Sequence, residues 1–531
     1  FAPPSHAQFA GKETDQKGRF QRNEIESNQW NVRLNVNYAK TLQEKHMLTL
    51  SGAAEMEEKK QEQIMWAATG FAADNIDFPS MALGYGDETY PNGSVTTTRR
   101  LALIFAGNYY YDMRYFVDIN FNANGASSFG EDSRWGKFFS FGLGWNVSNE
   151  DFFIEHVPYI QWLKLKASYG VSGNMGFSPE NAMTVYSLNT QANYLSHFGA
   201  YLTSFGNTEL KWQNTYQWNF GIELKTLHER LGLEFSYYRK MTDNTVADVF
   251  LPISHGFNTY KANIGSILNK GWDVKVTVDL FKNMDRGFTW NIMGSFNGNK
   301  NIVDKLSDGF KYTLSHNVTN MSSQEAVLKY REGHSMNAIY GLRTVGVDPQ
   351  TGNRLFLDKN GNVTFAQNAE DMVYLGDSQP KVQGNISTNI AYKGFILTVG
   401  FGVRWGAKQF NATLANKTEN AHFINNLDRR VLTKSWQEPG DVVPYKKLDV
   451  NNTSSNTNVC DAFVRKDNVF QCTNINLTYN FSDDVCKKLR LKGLSLNANL
   501  SDIFYISSIK RERGTSYPFS RNPNFSVSVS F

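Results

Sequence analysis

The sequence has few of the residues and runs that mark several common classes of protein. Its 531 residues include only three cysteines, Cys460, Cys472 and Cys486. Three cysteines are too few for a disulfide scaffold, and their spacing matches no zinc-ligand pattern, although a Cys460–Cys472 disulfide stays open. No run of about 18 consecutive apolar residues occurs, which excludes a membrane-spanning helix on length.

The chain also lacks a block of one charge. Its 54 basic and 50 acidic residues are interspersed and give a formal net charge of +4. This distribution predicts no nucleic-acid partner. The chain starts at Phe1 without an initiator methionine, a basic segment or an apolar segment, so any targeting peptide would lie outside the sequence given.

Motifs for catalysis or metal binding are likewise missing. The nine histidines are scattered, and the sequence contains no HExxH, GxSxG or GxxxxGK[ST] motif. The string DKNGN at 358–362 resembles the start of a calcium loop but lacks the later acidic positions, and is better interpreted as a hairpin turn. We therefore expect no enzymatic activity, no catalytic or metal-binding residues and no cofactor.

Alternation of apolar and polar residues is the main signal that the sequence does contain. Aromatic residues make up 14% of a chain whose mean hydropathy is only −0.45. Apolar residues recur at every second position in roughly fifteen segments of about 9 to 14 residues, the length that a tilted strand needs to cross a bilayer. Examples are Val32 to Tyr38, Phe139 to Val147 and Phe395 to Trp405. The pattern predicts an all-β protein with one apolar and one polar face.

Soluble β-sandwiches also contain alternating strands, but theirs average about 5 or 6 residues. The connections here alternate between short and long, which is typical of an outer-membrane β-barrel with short periplasmic turns and long extracellular loops. Short connections lie near 41–45, 111–113, 226–231, 281–287, 392–395 and 482–489, and long ones near 58–97, 173–211, 241–269, 299–381 and 407–465. We therefore predict a transmembrane antiparallel β-barrel.

The same topology predicts an orientation. The last strand descends from a long connection, so that the C-terminal Phe531 lies on the periplasmic side. Counting back through an odd number of strands makes residues 1–27 an extracellular loop segment and residues 28–531 the barrel. Because a complete barrel of this kind has an even number of strands, the chain is expected to be a C-terminal fragment of one.

Charged residues inside the strands occupy the polar positions, which face the hydrated lumen of a large barrel. We expect them to be solvated or to contact an internal plug more often than to contact a solute. These predicted lumen-facing charges are Arg33, Asp118, Lys164, Lys166, Glu223, Glu234, Asp273, Lys275, Asp279 and Arg404.

Aromatic residues inside the long connections have no role in anchoring a barrel. Loops of this length are usually functional, so these side chains could stack on sugar rings or pack against another protein. The candidates for substrate binding are Trp66, Phe71, Phe78, Tyr85 and Tyr90.

Several segments together resemble one known family. FGEDSRWGKFFSFGLGWNVSNEDF (129–152), NTELKWQNTYQWNFGIEL (207–224), YLGDSQPKVQGNISTNIAYKGF (374–395) and YPFSRNPNFSVSVSF (517–531) occur in the order found in the SusC/RagA-like TonB-dependent transporters of the Bacteroidetes outer membrane. Each motif alone is weak, and their shared order is what makes the resemblance specific. It covers nearly the whole chain from about residue 30.

The resemblance implies a barrel of 22 strands, of which about 15 are present here. It also implies a plug domain and a TonB-binding segment, which match nothing in this chain, and a SusD-like surface lipoprotein that acts as a lid. Oligosaccharide or peptide would be imported across the outer membrane. A dimer of transporter–lid pairs is a further expectation. The alternating final strand, with Phe525, Val527, Val529 and Phe531, resembles the signal for barrel assembly, and it would contact lipid.

Two other functions remain open on the sequence. A passive porin of about 16 strands would have the same alternation. A secreted glycan-binding adhesin of several β-sandwiches would also be rich in strands, but it would be soluble without detergent.

Overall fold

The computed structural model describes residues 1–85, 92–130, 133–175, 182, 184–194, 197–204, 206–250, 259–283, 287–316, 321–421, 427–448, 456–510 and 519–531. The β-strands of these residues are numbered in chain order. They are β1 (Arg19–Leu42), β2 (His46–Thr69), β3 (Gly84–Tyr85), β4 (Asn92–Tyr111), β5 (Tyr115–Ala126), β6 (Trp135–Asn146), β7 (Ile160–Asn174), β8 (Val185–Tyr194), β9 (His197–Ser204), β10 (Gln213–Thr226), β11 (Leu231–Phe250), β12 (Thr259–Asn283), β13 (Phe288–Leu306), β14 (Ala338–Gly341), β15 (Arg343–Val347), β16 (Arg354–Leu357), β17 (Val363–Thr364), β18 (Val373–Asp377), β19 (Val382–Tyr392), β20 (Phe395–Phe410), β21 (Val464–Asn480), β22 (Gly493–Ser507) and β23 (Asn524–Ser530).

Helices are short and lie in the connections. The α-helices are α1 (Asp151–His156), α2 (Asp308–His316), α3 (Met321–Lys329), α4 (Ala412–Thr418), α5 (Arg429–Lys434) and α6 (Asp483–Lys488). Single 3-10 turns are formed by Ala7–Phe9, Thr14–Gln16, Pro79–Met81, Val147–Asn149 and Ala369–Asp371. Among the described residues, no helix has both the length and the apolar character needed to span a membrane.

One large antiparallel sheet dominates the fold. Fifteen strands follow one another in the order β1-β2-β4-β5-β6-β7-β10-β11-β12-β13-β19-β20-β21-β22-β23, and the two-residue β3 pairs with β2 as a sixteenth. Each strand on this path pairs with the strand before it on the path, apart from the first. The predicted number of about 15 strands is therefore confirmed. Strands β1 and β23 are the two edges, and no pairing joins them in the described residues.

The two faces of the sheet differ as the alternation predicts. On one face, apolar side chains stand exposed over many strands. Examples are Val32 and Leu34 of β1, Phe141 of β6 and Phe220 of β10, which are 41 to 68% exposed. The other face carries the polar residues of the same strands. We call these the outer and the inner face.

Aromatic rings of the outer face gather near the short turns. Tyr115 stacks between Tyr111 and Trp145, with ring centroids 6.4 Å apart on each side. Near other short turns, Phe281 stacks on Trp290 at 6.0 Å and Phe395 contacts Tyr479 at 4.4 Å. Such rows of aromatic residues mark the edge of the apolar band in outer-membrane barrels.

Aromatic rings also cover glycines that lie directly opposite them on the neighbouring strand. Phe116 pairs with Gly144 across β5 and β6, and Tyr238 pairs with Gly271 across β11 and β12. A side chain added at either glycine would overlap the ring. These glycines are therefore required by the close approach of the ring.

Several strands extend further than the alternation predicted. Strand β1 begins at Arg19, so residues 19–27, expected to be loop, belong to the sheet. Much of the predicted connection 58–97 is strand as well, because β2 continues to Thr69 and β4 begins at Asn92. Over much of these extensions polar side chains occupy both faces, and the alternation of apolar and polar residues is lost although the backbone ladder continues.

The longest connections fold into a unit of their own. Residues 307–381, between β13 and β19, form α2, α3, a two-stranded sheet (β14-β18) and a three-stranded sheet (β15-β16-β17). Residues 411–463, between β20 and β21, form α4 and α5. We call the two connections together the loop module, because a shared hydrophobic cluster joins them.

Candidate functional site

The predicted lumen-facing charges of four neighbouring strands form one row on the inner face. The strand registers place Lys164, Glu223, Glu234 and Lys275 directly opposite one another across β7, β10, β11 and β12. Lys275 Nζ lies 3.0 Å from Glu234 Oε1, and Lys166, on the same face, forms an ion pair with Glu223. The ammonium of Lys164 lies 4.0 Å from the centroid of the Phe116 ring. The charges of this row largely neutralise one another.

The remaining predicted charges lie elsewhere on the inner face. Arg33 Nη1 is 3.6 Å from Glu55 Oε2, and Arg100 shares the same carboxylate at 2.7 Å. Asp279 accepts a hydrogen bond of 2.8 Å from the Asn291 amide. Asp118 lies opposite Gly142 on β6, and Asp273 lies between Ser236 and Asn297 on the neighbouring strands.

Arg404, the last predicted charge, belongs to a concave site on the described inner face. This pocket has a volume of about 840 Å³ and lies on the inner face of β13, β19, β20, β21 and β22. Arg404 forms an ion pair with Asp467, which is only 4% exposed. The start of the second connection of the loop module, at Asn411 to Thr413, borders the pocket.

Uncharged amides are the commonest polar residues in the wall of this site, which we call the amide pocket, and Arg404, Asp467 and Lys510 line it as well. Asn297, Gln383 and Arg404 lie directly opposite one another on three strands. Asn385 and Gln471 lie in the next row on either side of Gly402, where Gln471 comes close to the glycine. Carboxamides both donate and accept hydrogen bonds, so this part of the wall can bind the hydroxyl or amide groups of a polar solute.

The loop module is held by a hydrophobic cluster and a buried ion pair. Its cluster contains Tyr340, Leu342, Phe356, Met372, Ala415, Cys460 and Phe463. Arg354 Nε donates to both carboxylate oxygens of Glu419, at 2.8 and 2.9 Å, and both side chains are at most 5% exposed. Glu419 also accepts from the Thr457 hydroxyl at 2.8 Å, and the Arg354 guanidinium lies over the Phe463 ring. Both charges of this buried pair are hydrogen-bonded, as buried charges require.

Two further carboxylates order the surface of the module. Asp428 caps α5, accepting from the Arg430 backbone N–H at 2.8 Å and from its guanidinium, and these bonds lower the pKa of Asp428 to about 2. Asp358 accepts from the backbone N–H groups of Asn360 and Asn362, both at 2.8 Å, and these bonds lower its pKa. The string DKNGN is thus a turn whose backbone N–H groups hydrogen-bond to the Asp358 carboxylate.

The loop aromatics predicted to bind substrate do not form one site. Trp66 is part of β2, where its ring packs on Phe20 at 5.6 Å, so its placement in a loop was wrong. Phe71 is 1% exposed and packs against Phe1 at 5.1 Å, because the N-terminal segment wraps around it. Phe78 and Tyr85 are 67% and 53% exposed. Tyr90 lies outside the described residues.

The final strand forms an edge of the sheet, and all three cysteines are buried. Phe525, Val527, Val529 and Phe531 are exposed on the outer face or at the chain end, and within the described ranges β23 pairs only with β22. All three cysteines are free and buried, so the disulfide left open between Cys460 and Cys472 is absent. Burial raises the pKa of the Cys460 thiol to about 11.

Sequence reasoning missed both the amide pocket and the buried ion pair. The amides of the pocket occupy the same alternate positions as the charged residues. Asn297, Gln383 and Asn385 could therefore have been predicted to lie on the inner face as well. Arg354 and Glu419 lie 65 residues apart in the two connections of the loop module, where no periodicity indicates that they meet.

Comparisons with known proteins agree with this architecture. Residues 5–499 match the family model described as TonB dependent receptor-like, beta-barrel. The TonB-dependent receptor P39 of Formosa agariphila is 27% identical over 513 residues, covering 89% of this chain and 48% of that protein. The TonB-dependent receptor SusC of Bacteroides thetaiotaomicron is 25% identical, over 78% of this chain and 41% of that protein.

Solved structures show the same fold. The structure of the RagAB peptide transporter aligns with a TM-score of 0.83 at 21% identity, covering 97% of this chain and 56% of that chain. The chain thus spans about half the length of the relatives it matches.

Proposed function

Since the chain belongs to the TonB-dependent receptor-like β-barrel family, as its SusC/RagA-like motifs predicted, we propose that it is the C-terminal barrel portion of an outer-membrane nutrient importer. The observation that carries the proposal is the fifteen-stranded sheet with an apolar outer face and a polar inner face. Such a sheet is stable where lipid covers one side and water or protein the other. No covalent chemistry is proposed.

In this proposal the chain supplies the wall of the conduit and the surface loops. The inner face, with its neutralised charge row and the amide pocket, lines the lumen. Energy would reach the barrel from TonB through a plug outside the sequence given. The short turns and Phe531 would lie in the periplasm, and the loop module would lie outside the cell.

We further propose a polar, uncharged cargo that is too large for porins, either oligosaccharide or peptide. The carboxamides of the amide pocket support this, because they can hydrogen-bond hydroxyls or peptide groups without a fixed charge. A SusD-like lipoprotein would cover the loops as a lid, and transporter–lid pairs could assemble as dimers.

Growth of a deletion strain tests the proposal. Cells lacking the gene would be grown on single oligosaccharides or peptides and on the corresponding monomers. We expect growth to fail on one class of large substrate, to persist on its monomer, and to fail equally when TonB is removed. Unchanged growth on every large substrate, or equal loss on the monomer, would contradict an import function.

A further inference from the structure

Three cations form an uninterrupted row on the outer face. Arg239 of β11 lies directly opposite Lys270 of β12, which lies directly opposite Lys300 of β13. All three are exposed. Like charges directly opposite one another on neighbouring strands destabilise a sheet, so this arrangement indicates an external counterion. We call these residues the cation row.

The cation row is unpaired in the part of the chain that the structure describes. None of its members has an ion pair there, whereas Lys275 and Lys166 of the inner face are both paired with glutamates. The nearest acidic residue of β12, Asp273, lies on the inner face. Beside Arg239 in the same row stands the aromatic ring of Trp218.

The position of the row along the strands fixes its environment. Below Arg239, the outward residues of β11 are Tyr237, Phe235, Leu233 and Leu231, ending at a short turn. The stretch from Leu231 to Arg239 is about 26 Å long, or about 20 Å high at the usual strand tilt, which matches an apolar band of about 25 Å.

Above the row, protein replaces lipid. Leu268, two residues beyond Lys270 along β12, is only 5% exposed. Directly below the row, Tyr237 and Trp272 lie opposite each other, as interfacial aromatics do. The cation row therefore lies at the boundary between the apolar band and water, on the side of the long connections.

We propose that the cation row binds the phosphate groups of a phosphorylated glycolipid in the outer leaflet of the membrane. This inference rests on the proposed outer-membrane location. The planar guanidinium of Arg239 can donate two parallel hydrogen bonds to one phosphate, while Lys270 and Lys300 act as compact charges. The acyl chains lie along Tyr237, Trp272 and the apolar residues below them.

Native mass spectrometry of the complete gene product in detergent tests this assignment. The probes are bisphosphorylated lipid A, the same lipid with its phosphates removed, and phosphatidylglycerol. We expect the intact protein to retain bisphosphorylated lipid A, and the triple variant R239Q/K270Q/K300Q to bind it at least about tenfold more weakly.

A matched pair of single variants controls for charge. Lys240 neighbours Arg239 but belongs to the inner face, where its ammonium lies 4.9 Å from the centroid of the Tyr238 ring. Lys270→Gln should weaken lipid A binding several-fold, and Lys240→Gln should leave it unchanged.

Three results would overturn the inference. They are unchanged binding by the triple variant, equal retention of the dephosphorylated lipid, and equal retention of phosphatidylglycerol, which would indicate an unselective interfacial charge. Membrane fractionation keeps this test separate from the proposed function. If the protein is found in the outer membrane but the triple variant binds normally, only the lipid site fails; a protein in the soluble fraction would remove the premise of both.

Discussion

Arg354 and Glu419 form a buried ion pair that joins the two longest connections of the chain. The first residue belongs to the connection between β13 and β19 and the second to that between β20 and β21. Arg354 donates to both carboxylate oxygens of Glu419, and the Thr457 hydroxyl donates to the same carboxylate, so these contacts join the two connections into one folded unit.

Removing one partner of this pair should loosen the module. Arg354→Met leaves the Glu419 carboxylate buried and unpaired, which typically costs about 3–5 kcal/mol. We expect much faster proteolysis within 307–381 and 411–463 in outer-membrane vesicles, while the barrel strands stay intact.

The exposed pair Lys359–Glu370 provides the control. Its side chains are 61% and 71% exposed, so Lys359→Met should leave the protease resistance of the module nearly unchanged. Equal protease resistance of Arg354→Met and the unmodified protein would show that the pair does not hold the module together.

The accessibility of the Cys460 thiol provides a second measure of how tightly the loop module is folded. Its thiol is fully buried and its pKa is raised to about 11, so almost no thiolate exists at pH 8. A charged alkylating reagent at pH 8 should leave Cys460 unmodified in the native protein and modify it in Arg354→Met. Peptide mass spectrometry gives the readout. Cys472 and Cys486, buried outside the module, serve as internal controls and should stay unmodified in both.

Gly144 should be irreplaceable because the Phe116 ring occupies the space opposite it. Gly144→Ala forces that ring aside, and overpacking of this kind costs about 1–3 kcal/mol. The expected result is a lower temperature of barrel unfolding in heat-modifiability gels.

Gly142→Ala is the matched control, since a side chain there meets its nearest atom, in Asp118, only at 3.6 Å. The double variant Gly144→Ala/Phe116→Ala should recover part of the loss. If Gly142→Ala and Gly144→Ala lowered the unfolding temperature equally, the Phe116 ring would not be the cause of the loss.

The amide pocket should contribute to solute binding during import. Replacing Gln471 or Asn385 by leucine removes hydrogen bonds worth about 0.5–1.5 kcal/mol each, so the half-saturating solute concentration for uptake should rise about threefold to tenfold. Asn499→Leu, on β22 away from the pocket lining, is the control and should have no effect. An unchanged half-saturation in both pocket variants would place the solute path elsewhere.

The sequence predicted the sheet well where one face meets an apolar environment. The alternation of Val32 to Tyr38 or Phe395 to Trp405 shows both the strand and its outward face, because lipid and water impose opposite demands on successive residues. The extension of β2 past Glu57 was missed, since charged and amide side chains occupy both of its faces at the start and the backbone ladder with β1 continues without an apolar–polar alternation.

The site was harder to predict than the fold. The alternation placed Arg404 on the polar face of the sheet. It did not predict the partner Asp467, because a bulge shifts the β20–β21 register between the two residues. Phe71 looked available for ligand in a polar loop, whereas residues far away in sequence bury it. Contacts set by tertiary folding leave no periodic trace in the sequence.

Conductance of the complete gene product in planar lipid bilayers tests the central claim most directly, because it asks whether the barrel is a gated conduit or an open pore. We expect insertion into the bilayer with almost no steady current, as in a barrel whose lumen is closed until TonB acts on it. Steady ohmic channels would contradict this account and identify a passive porin, and a protein that stays soluble without detergent would contradict the membrane barrel itself.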